Sequence, residues 1–195
     1  MRVALVTTMK PPDAEVPSGD RTFARLISAA LTHSGHEVVL ATRFSTWRKT
    51  PDAFAAMQRE ALREAKAAVA SLAQRPPDAV LTYHNYHKGP DIIGPKIAQA
   101  FDVPYAIVEP SRAPSRAKGP WAEGFYAADK ALAAANALGA VTARDWPALE
   151  AFAPEKATPV PPFIDTAPFR APTRGDGRHI VCAGMMRAGR KAESF

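Results

Sequence analysis

Short apolar runs of strand length recur along this chain, separated by segments long enough for a helix. That alternation restricts the fold more than any other feature. Residues 3–7 (VALVT), 37–42 (EVVLAT), 79–83 (AVLTY), 103–108 (VPYAIV) and 138–142 (LGAVT) read as strands. Between them, residues 20–34 place Phe23, Leu26, Ile27, Ala30 and Leu31 on one helical face. Ser18 or Asp20 can cap that helix and Gly35 can stop it. Further helices are predicted over 51–74, 90–101, 120–136 and 144–152. The first of these opens at Thr50-Pro51 and ends at Pro76-Pro77. Residues 158–160 form a short edge strand, because Pro159 has no N–H for a central ladder. Strands so spaced pair in parallel through right-handed crossovers, with helices on both faces. The expected fold is α/β, a doubly wound, Rossmann-like parallel sheet. Ligands of such sheets sit beyond the carboxyl ends of the strands, near the reversal of strand order.

Composition narrows the class. The 195 residues are 47% hydrophobic, which excludes a largely disordered chain. There is no apolar run of membrane-spanning length, and the first segment is too short for a signal peptide. The protein is read as cytoplasmic. A single cysteine, Cys182, excludes an internal disulfide and a cysteine zinc cage. The net charge of +6 is spread thinly, which argues for a phosphate-bearing partner or an anionic lipid surface and against nucleic acid. In loop 43–50, Phe44, Trp47, Arg48 and Lys49 combine apolar and basic groups as a peripheral anchor on the inner membrane face would.

The carboxyl-end loops carry the candidate chemistry. Loop 9–20 lacks G-x-G-x-x-G, which weighs against a dinucleotide enzyme such as an epimerase. It presents Ser18 and Gly19 at a helix amino end, where free N–H groups suit an anion or a hydroxylated ligand. Residues 83–90 (YHNYHKGP) hold His84 and His87. No carboxylate or cysteine stands beside them to complete a metal site, so either histidine is read as a base or a hydrogen-bonding group. Loop 109–119 sets Glu109 beside Arg112, Arg116 and Lys118, a mixture suited to a sugar-like or anionic ligand. Trp121 and Arg144 are further residues near that edge.

Residues 165–177, rich in proline, glycine and charge, read as a linker after a domain spanning 1–164. Residues 178–195 (RHIVCAGMMRAGRKAESF) read as the first strand, glycine turn and basic helix start of a second α/β domain that the chain leaves truncated. Arg187 and Lys191 there would offer a fork and a point charge to a phosphate.

The order of four segments resembles the family 4 glycosyltransferases, two-domain enzymes of the B-type fold. They are RVALVTTMKPPDAEVPSGDRTFARLISAALTHSGHEVVLAT, YHNYHKGPDIIG, PVPPFIDTAPF and VCAGMMRAGRK. The third is similar to the family's P-N-G-V-D-x-x-x-F link, with Pro162, Phe163, Ile164, Asp165 and Phe169. The fourth is similar to its V-G-R-L-x-x-x-K opening of the donor domain, with Met185 standing where arginine is usual. The resemblance implies a nucleotide-sugar donor, a carbohydrate or lipid-linked acceptor, retention of anomeric configuration, and no metal or cofactor. It matches Ser18 and Gly19 to the acceptor or phosphate loop, His84 or His87 to the cleft, and Lys191 with Arg187 to the donor diphosphate; Glu109 and Arg112, from the reading of loop 109–119, join Ser18 and Gly19 as expected acceptor-binding residues. A glycosyltransferase fragment inactive by itself is the expectation. The alternative is a stand-alone binding module for a sugar or nucleotide.

Overall fold

β1 (Arg2–Thr7) is buried on both faces from Val3 to Thr7, as a strand with neighbours on each side and helices above and below must be. The computed structural model describes residues 1–167. Within it Met1–Ile164 forms one compact unit, and the boundary falls at Asp165. The fold is α/β, doubly wound and Rossmann-like. Six parallel strands lie in the order β2-β1-β3-β4-β5-β6: β2 (Glu37–Leu40), β3 (Ala79–Asn85), β4 (Tyr105–Pro110), β5 (Ala137–Ala140) and β6 (Ala157–Pro159) complete the sheet. The order reverses between β1 and β3, so the ligand-binding crevice of this architecture opens at their carboxyl ends. Pro159 lies on the outermost strand, where its missing N–H costs no ladder bond.

α1 (Gly19–His33) packs Ala24 and Ile27 against Leu5 and Tyr83 on one face. α2 (Phe54–Leu72), α3 (Gly94–Phe101) and α4 (Ala122–Ala134) cover the other. α2 buries Phe54, Met57, Ala61, Ala65, Ala68 and Leu72, a helical stripe whose alanines let its backbone lie close to the sheet. α5 (Trp146–Glu150) adds Leu149 to the same core.

The main departures from expectation have physical causes. Residues 51–53 form a 3-10 turn and α2 begins at Phe54, since Thr50 makes no side-chain cap. α3 starts at Gly94 instead of residue 90, because the preceding turn carries Asp91 into the core. The Asp91 carboxylate there accepts four hydrogen bonds: from Ile93 N (2.9 Å), Gly94 N (2.8 Å), Thr82 Oγ1 (2.6 Å) and the Tyr105 hydroxyl (2.6 Å). Burial pushes this carboxyl above its ordinary value, and the four donors pull the other way. β3 and β4 run two residues further than the apolar pattern, to Asn85 and Pro110.

A methyl group at Gly94 would collide with the Asp91 carboxylate, the Thr82 hydroxyl and the Tyr105 ring, whereas Gly19 has open space around it. Gly94→Ala is expected to lower unfolding stability by about 2–3 kcal/mol in urea titration, the scale of an overpacked core that also disturbs a buried carboxylate. Gly19→Ala should change it by less than about 0.5 kcal/mol.

Candidate active site at the carboxyl edge of the sheet

The crevice between β1 and β3 is closed at its base by Thr8. Its amide donates to the Tyr83 carbonyl (3.4 Å) and its hydroxyl to the His84 carbonyl (3.0 Å). The Thr8 carbonyl in turn accepts from Thr46 N (3.0 Å), Trp47 N (3.2 Å) and Ser45 Oγ (3.1 Å), which ties loop 43–50 over the crevice. Loop 9–20 is held to α1 by Arg21, whose guanidinium donates to the carbonyls of Ala14 (2.8 Å) and Glu15 (2.9 Å).

At this edge two neighbouring strands turn left-handed together. His84 has φ 70° and Glu109 has φ 59°, and they lie between the register pairs Tyr83↔Val108 and Asn85↔Pro110. For a residue with a Cβ this conformation costs about 1–2 kcal/mol. At β3 the turn exchanges faces. Tyr83 packs against α1, yet Asn85, two residues on, reaches the other face, donating to the Ala128 carbonyl (3.1 Å) and accepting from Asp91 N (2.8 Å). A regular strand would put both on one face.

The side chains of the two strained residues meet. His84 Nδ1 lies 3.9 Å from Glu109 Oε1, with the two side chains 17% and 25% exposed. That is too long for a hydrogen bond, and His84 Nδ1 is a buried nitrogen without one among the described residues. Burial holds the His84 imidazole below its ordinary value, and the carboxylates of Glu109, Asp20 and Asp145 pull it back upward. Tyr83 is pushed far above the usual phenol range, first by burial and then by the charges of Glu109 and Asp20. A neutral imidazole with one nitrogen facing a carboxylate can accept a proton at the other, and the carboxylate then stabilises the cation.

Aromatic rings form a continuous row beside this pair. Phe163, Phe23, Tyr83, His84, Tyr86, His87 and Trp121 follow one another with centroid separations between 5.1 and 5.7 Å. His87 is seated by Gly124 of α4: the His87 carbonyl occupies the position a Cβ there would need.

The other expected site residues have different roles. Ser18 caps α1, accepting from Arg21 N at 3.2 Å, and Gly19 is exposed at its first turn. Arg112 is not an open cation. Its Nε and Nη2 bond the Asp129 carboxylate at 3.0 and 2.8 Å, and its guanidinium lies 4.5 Å from the Phe152 ring centroid and 5.5 Å from that of Phe125. This fork fastens loop 109–119 to α4 instead of facing a ligand. Arg187, Lys191 and Cys182 lie outside the described residues. In loop 43–50, Phe44 packs against the main core, leaving Trp47, 39% exposed, as the outward aromatic group. Asp20, expected only as a capping residue, and Asp145, which carried no sequence signal for the site, both act on the His84 charge in the folded sheet.

A groove of about 680 Å³ runs between α2, α3 and α4, on the helical flank. The strained histidine–carboxylate pair outweighs that volume as a guide to chemistry, since strain persists where surrounding structure enforces it. Among the described residues no cluster of three or more metal-ligating side chains occurs, and no helix is long and apolar enough to cross a membrane. A scan of family models finds none that matches this chain, and a search of curated proteins finds no similar one.

Two measurements check the strained pair. Glu109→Gly should be more stable than Glu109→Ala by about 1 kcal/mol in denaturant titration, since glycine alone adopts φ 59° without strain. His84 binds fewer protons folded than unfolded between its depressed value and 6.5. Its contribution to stability is therefore complete above 6.5 and is lost as pH falls toward that depressed value. Unfolding midpoints measured from about pH 7.5 down to about pH 5.5 should fall less in His84→Gln than in the wild type.

Proposed function

We propose that residues 1–164 bind a hydroxylated, carbohydrate-like ligand at the carboxyl edge of the sheet and serve as the acceptor-binding domain of a nucleotide-sugar-dependent glycosyltransferase. The observation that carries this reading is the matched left-handed pair, His84 and Glu109, at the ends of adjacent strands. Two strained residues with complementary chemistry meet where parallel sheets bind ligands. The aromatic row supplies apolar faces for the C–H surface of a sugar ring, and the carboxylates supply acceptors for its hydroxyls. The order of sequence segments described above supports the same assignment.

On this reading His84 accepts a hydrogen bond from the acceptor hydroxyl through Nε2, and Glu109 fixes the ring with Nδ1 protonated. The acceptor oxygen forms the new bond to the anomeric carbon as the bond to the nucleoside diphosphate breaks. The hydroxyl proton passes to His84, whose positive charge Glu109 and Asp20 offset. The gap of 3.9 Å between His84 and Glu109 closes as the ligand excludes water. The donor diphosphate would be met by Arg187 and Lys191, by resemblance.

The test is binding of neutral sugars. Methyl glucoside, methyl mannoside and N-acetylglucosamine are titrated into the full 195-residue chain by NMR. At least one should bind saturably, about tenfold more weakly in His84→Gln and in Glu109→Gln. Affinity should also fall as pH drops through the depressed value of His84. Equal affinity in both variants would remove His84 and Glu109 from the site and this reading with them.

A further inference from the structure

His84 and His87, three residues apart, stand in opposite fields. The carboxylates of Asp20, Glu109 and Asp145 act on His84, whereas after burial the charges acting on His87 are Arg116 and Lys88. The cationic end is an assembled cluster. Lys88 Nζ lies 5.2 Å from the Trp121 ring centroid, and the His87 ring meets the same indole edge-on at 5.7 Å. Arg116 ends a 3-10 turn, Pro114–Arg116, shortly before Trp121 and α4.

The backbone beneath this cluster is fixed. Arg48 N donates to the Lys88 carbonyl at 2.8 Å, a Tyr86↔Gly89 bridge closes the turn, and Gly124 admits the His87 carbonyl against α4. Among the described residues neither Lys88 nor Arg116 is paired with a carboxylate. His87 Nε2 is buried there with no hydrogen-bond partner. Lys88 and an unsatisfied imidazole meet at one indole, and the exposed Arg116 stands on the loop that leads into it, a set of groups suited to an anion, with lysine as a point charge and arginine as a fork.

We infer that the ligand carries an anionic group, a phosphate or carboxylate, which docks against His87, Lys88 and Arg116 beside Trp121 while its hydroxyls face His84. This deepens the proposed function and rests on it. The two ends are separated by the single ring of Tyr86. The His84, Tyr86 and His87 centroids follow at 5.1 and 5.3 Å, so the poles lie no more than about 10 Å apart. That spacing suits one sugar ring bearing a phosphate, either as a free sugar phosphate or as the head of a lipid.

Inorganic phosphate titrated into the full chain tests the anion end, followed by the Trp121 indole N–H and the His87 ring resonances. Saturable shifts are expected, weakening about tenfold in Lys88→Ala and by a similar factor in Arg116→Ala. The His87 titration midpoint should rise when phosphate binds, a change that a purely structural role would not produce. Absence of saturable shifts, or shifts that persist in the Lys88→Ala/Arg116→Ala double variant, would overturn the inference.

Glucose 1-phosphate and vesicles of phosphatidylcholine with phosphatidic acid separate the two phosphate sources. The one whose binding depends on both cations identifies the source, and dependence in neither overturns the inference. Neutral glycosides that need His84 while phosphate ignores the cations would sink the anion site alone. Phosphate that needs the cations while no glycoside binds would sink the hydroxyl end alone.

Discussion

The left-handed turn shared by β3 and β4 organises the whole carboxyl edge. A regular strand would keep Tyr83 and Asn85 on one face and send the intervening residue to the other. With His84 at φ 70°, Tyr83 joins the α1 core while Asn85 anchors the turn that leads to Asp91 on the opposite side. Two such residues store roughly 2–4 kcal/mol, a sizeable fraction of what a domain of this length has to spare. Hydrogen bonds on either side hold the distortion: Thr8 Oγ1 to the His84 carbonyl, Ser111 N to the Asn85 carbonyl, and the Asn85 amide to α4. The position of His84 is thus set by the sheet and both helical layers, so its ring is oriented before any ligand arrives.

The fold was legible in the sequence because burial writes a simple pattern. Residues 3–6 are apolar throughout, as a strand covered on both faces requires, and Pro159 marked its strand as an edge. The candidate site was legible by location only. Apolar runs ending at residues 83 and 108 put His84 and Glu109 just beyond the strands, but nothing local announces that a histidine and a glutamate will take left-handed backbone. Glycine or asparagine would have given a signal. Here the tertiary network imposes the conformation. Arg112 shows the opposite failure. Its neighbours in sequence suggested a ligand, while its partner Asp129, seventeen residues on in α4, could be found only in three dimensions.

Close approach through glycine ties these features together. At Gly94 the helix start drops onto the Asp91 carboxylate, and at Gly124 another helix receives the His87 carbonyl. Each glycine brings a helix against the segment that follows β3, one at Asp91 and the other at His87. The stretch between them, which carries Lys88 and the Gly89 end of the bridge to Tyr86, is therefore braced by the folded core instead of by its own composition. Rigid support of this kind lets a loop hold side chains in a fixed array.

The charge pattern within that array carries a consequence for orientation. A chain of net charge +6 attracts anions over its whole surface, so attraction alone would let a negatively charged ligand settle in several ways. The Glu109 carboxylate, 3.9 Å from His84, limits that freedom at one end, because a free anion seated directly on His84 would meet a like charge in a half-buried crevice. Like-charge repulsion in a partly desolvated site is costly, and its cost discriminates between poses that contact area would leave equal. For the proposed anionic ligand, Lys88 and Arg116 would then need only modest affinity to set the direction of binding. On the proposed reading, repulsion at the acidic pole would do the selecting, and the cations would fix where the ligand comes to rest.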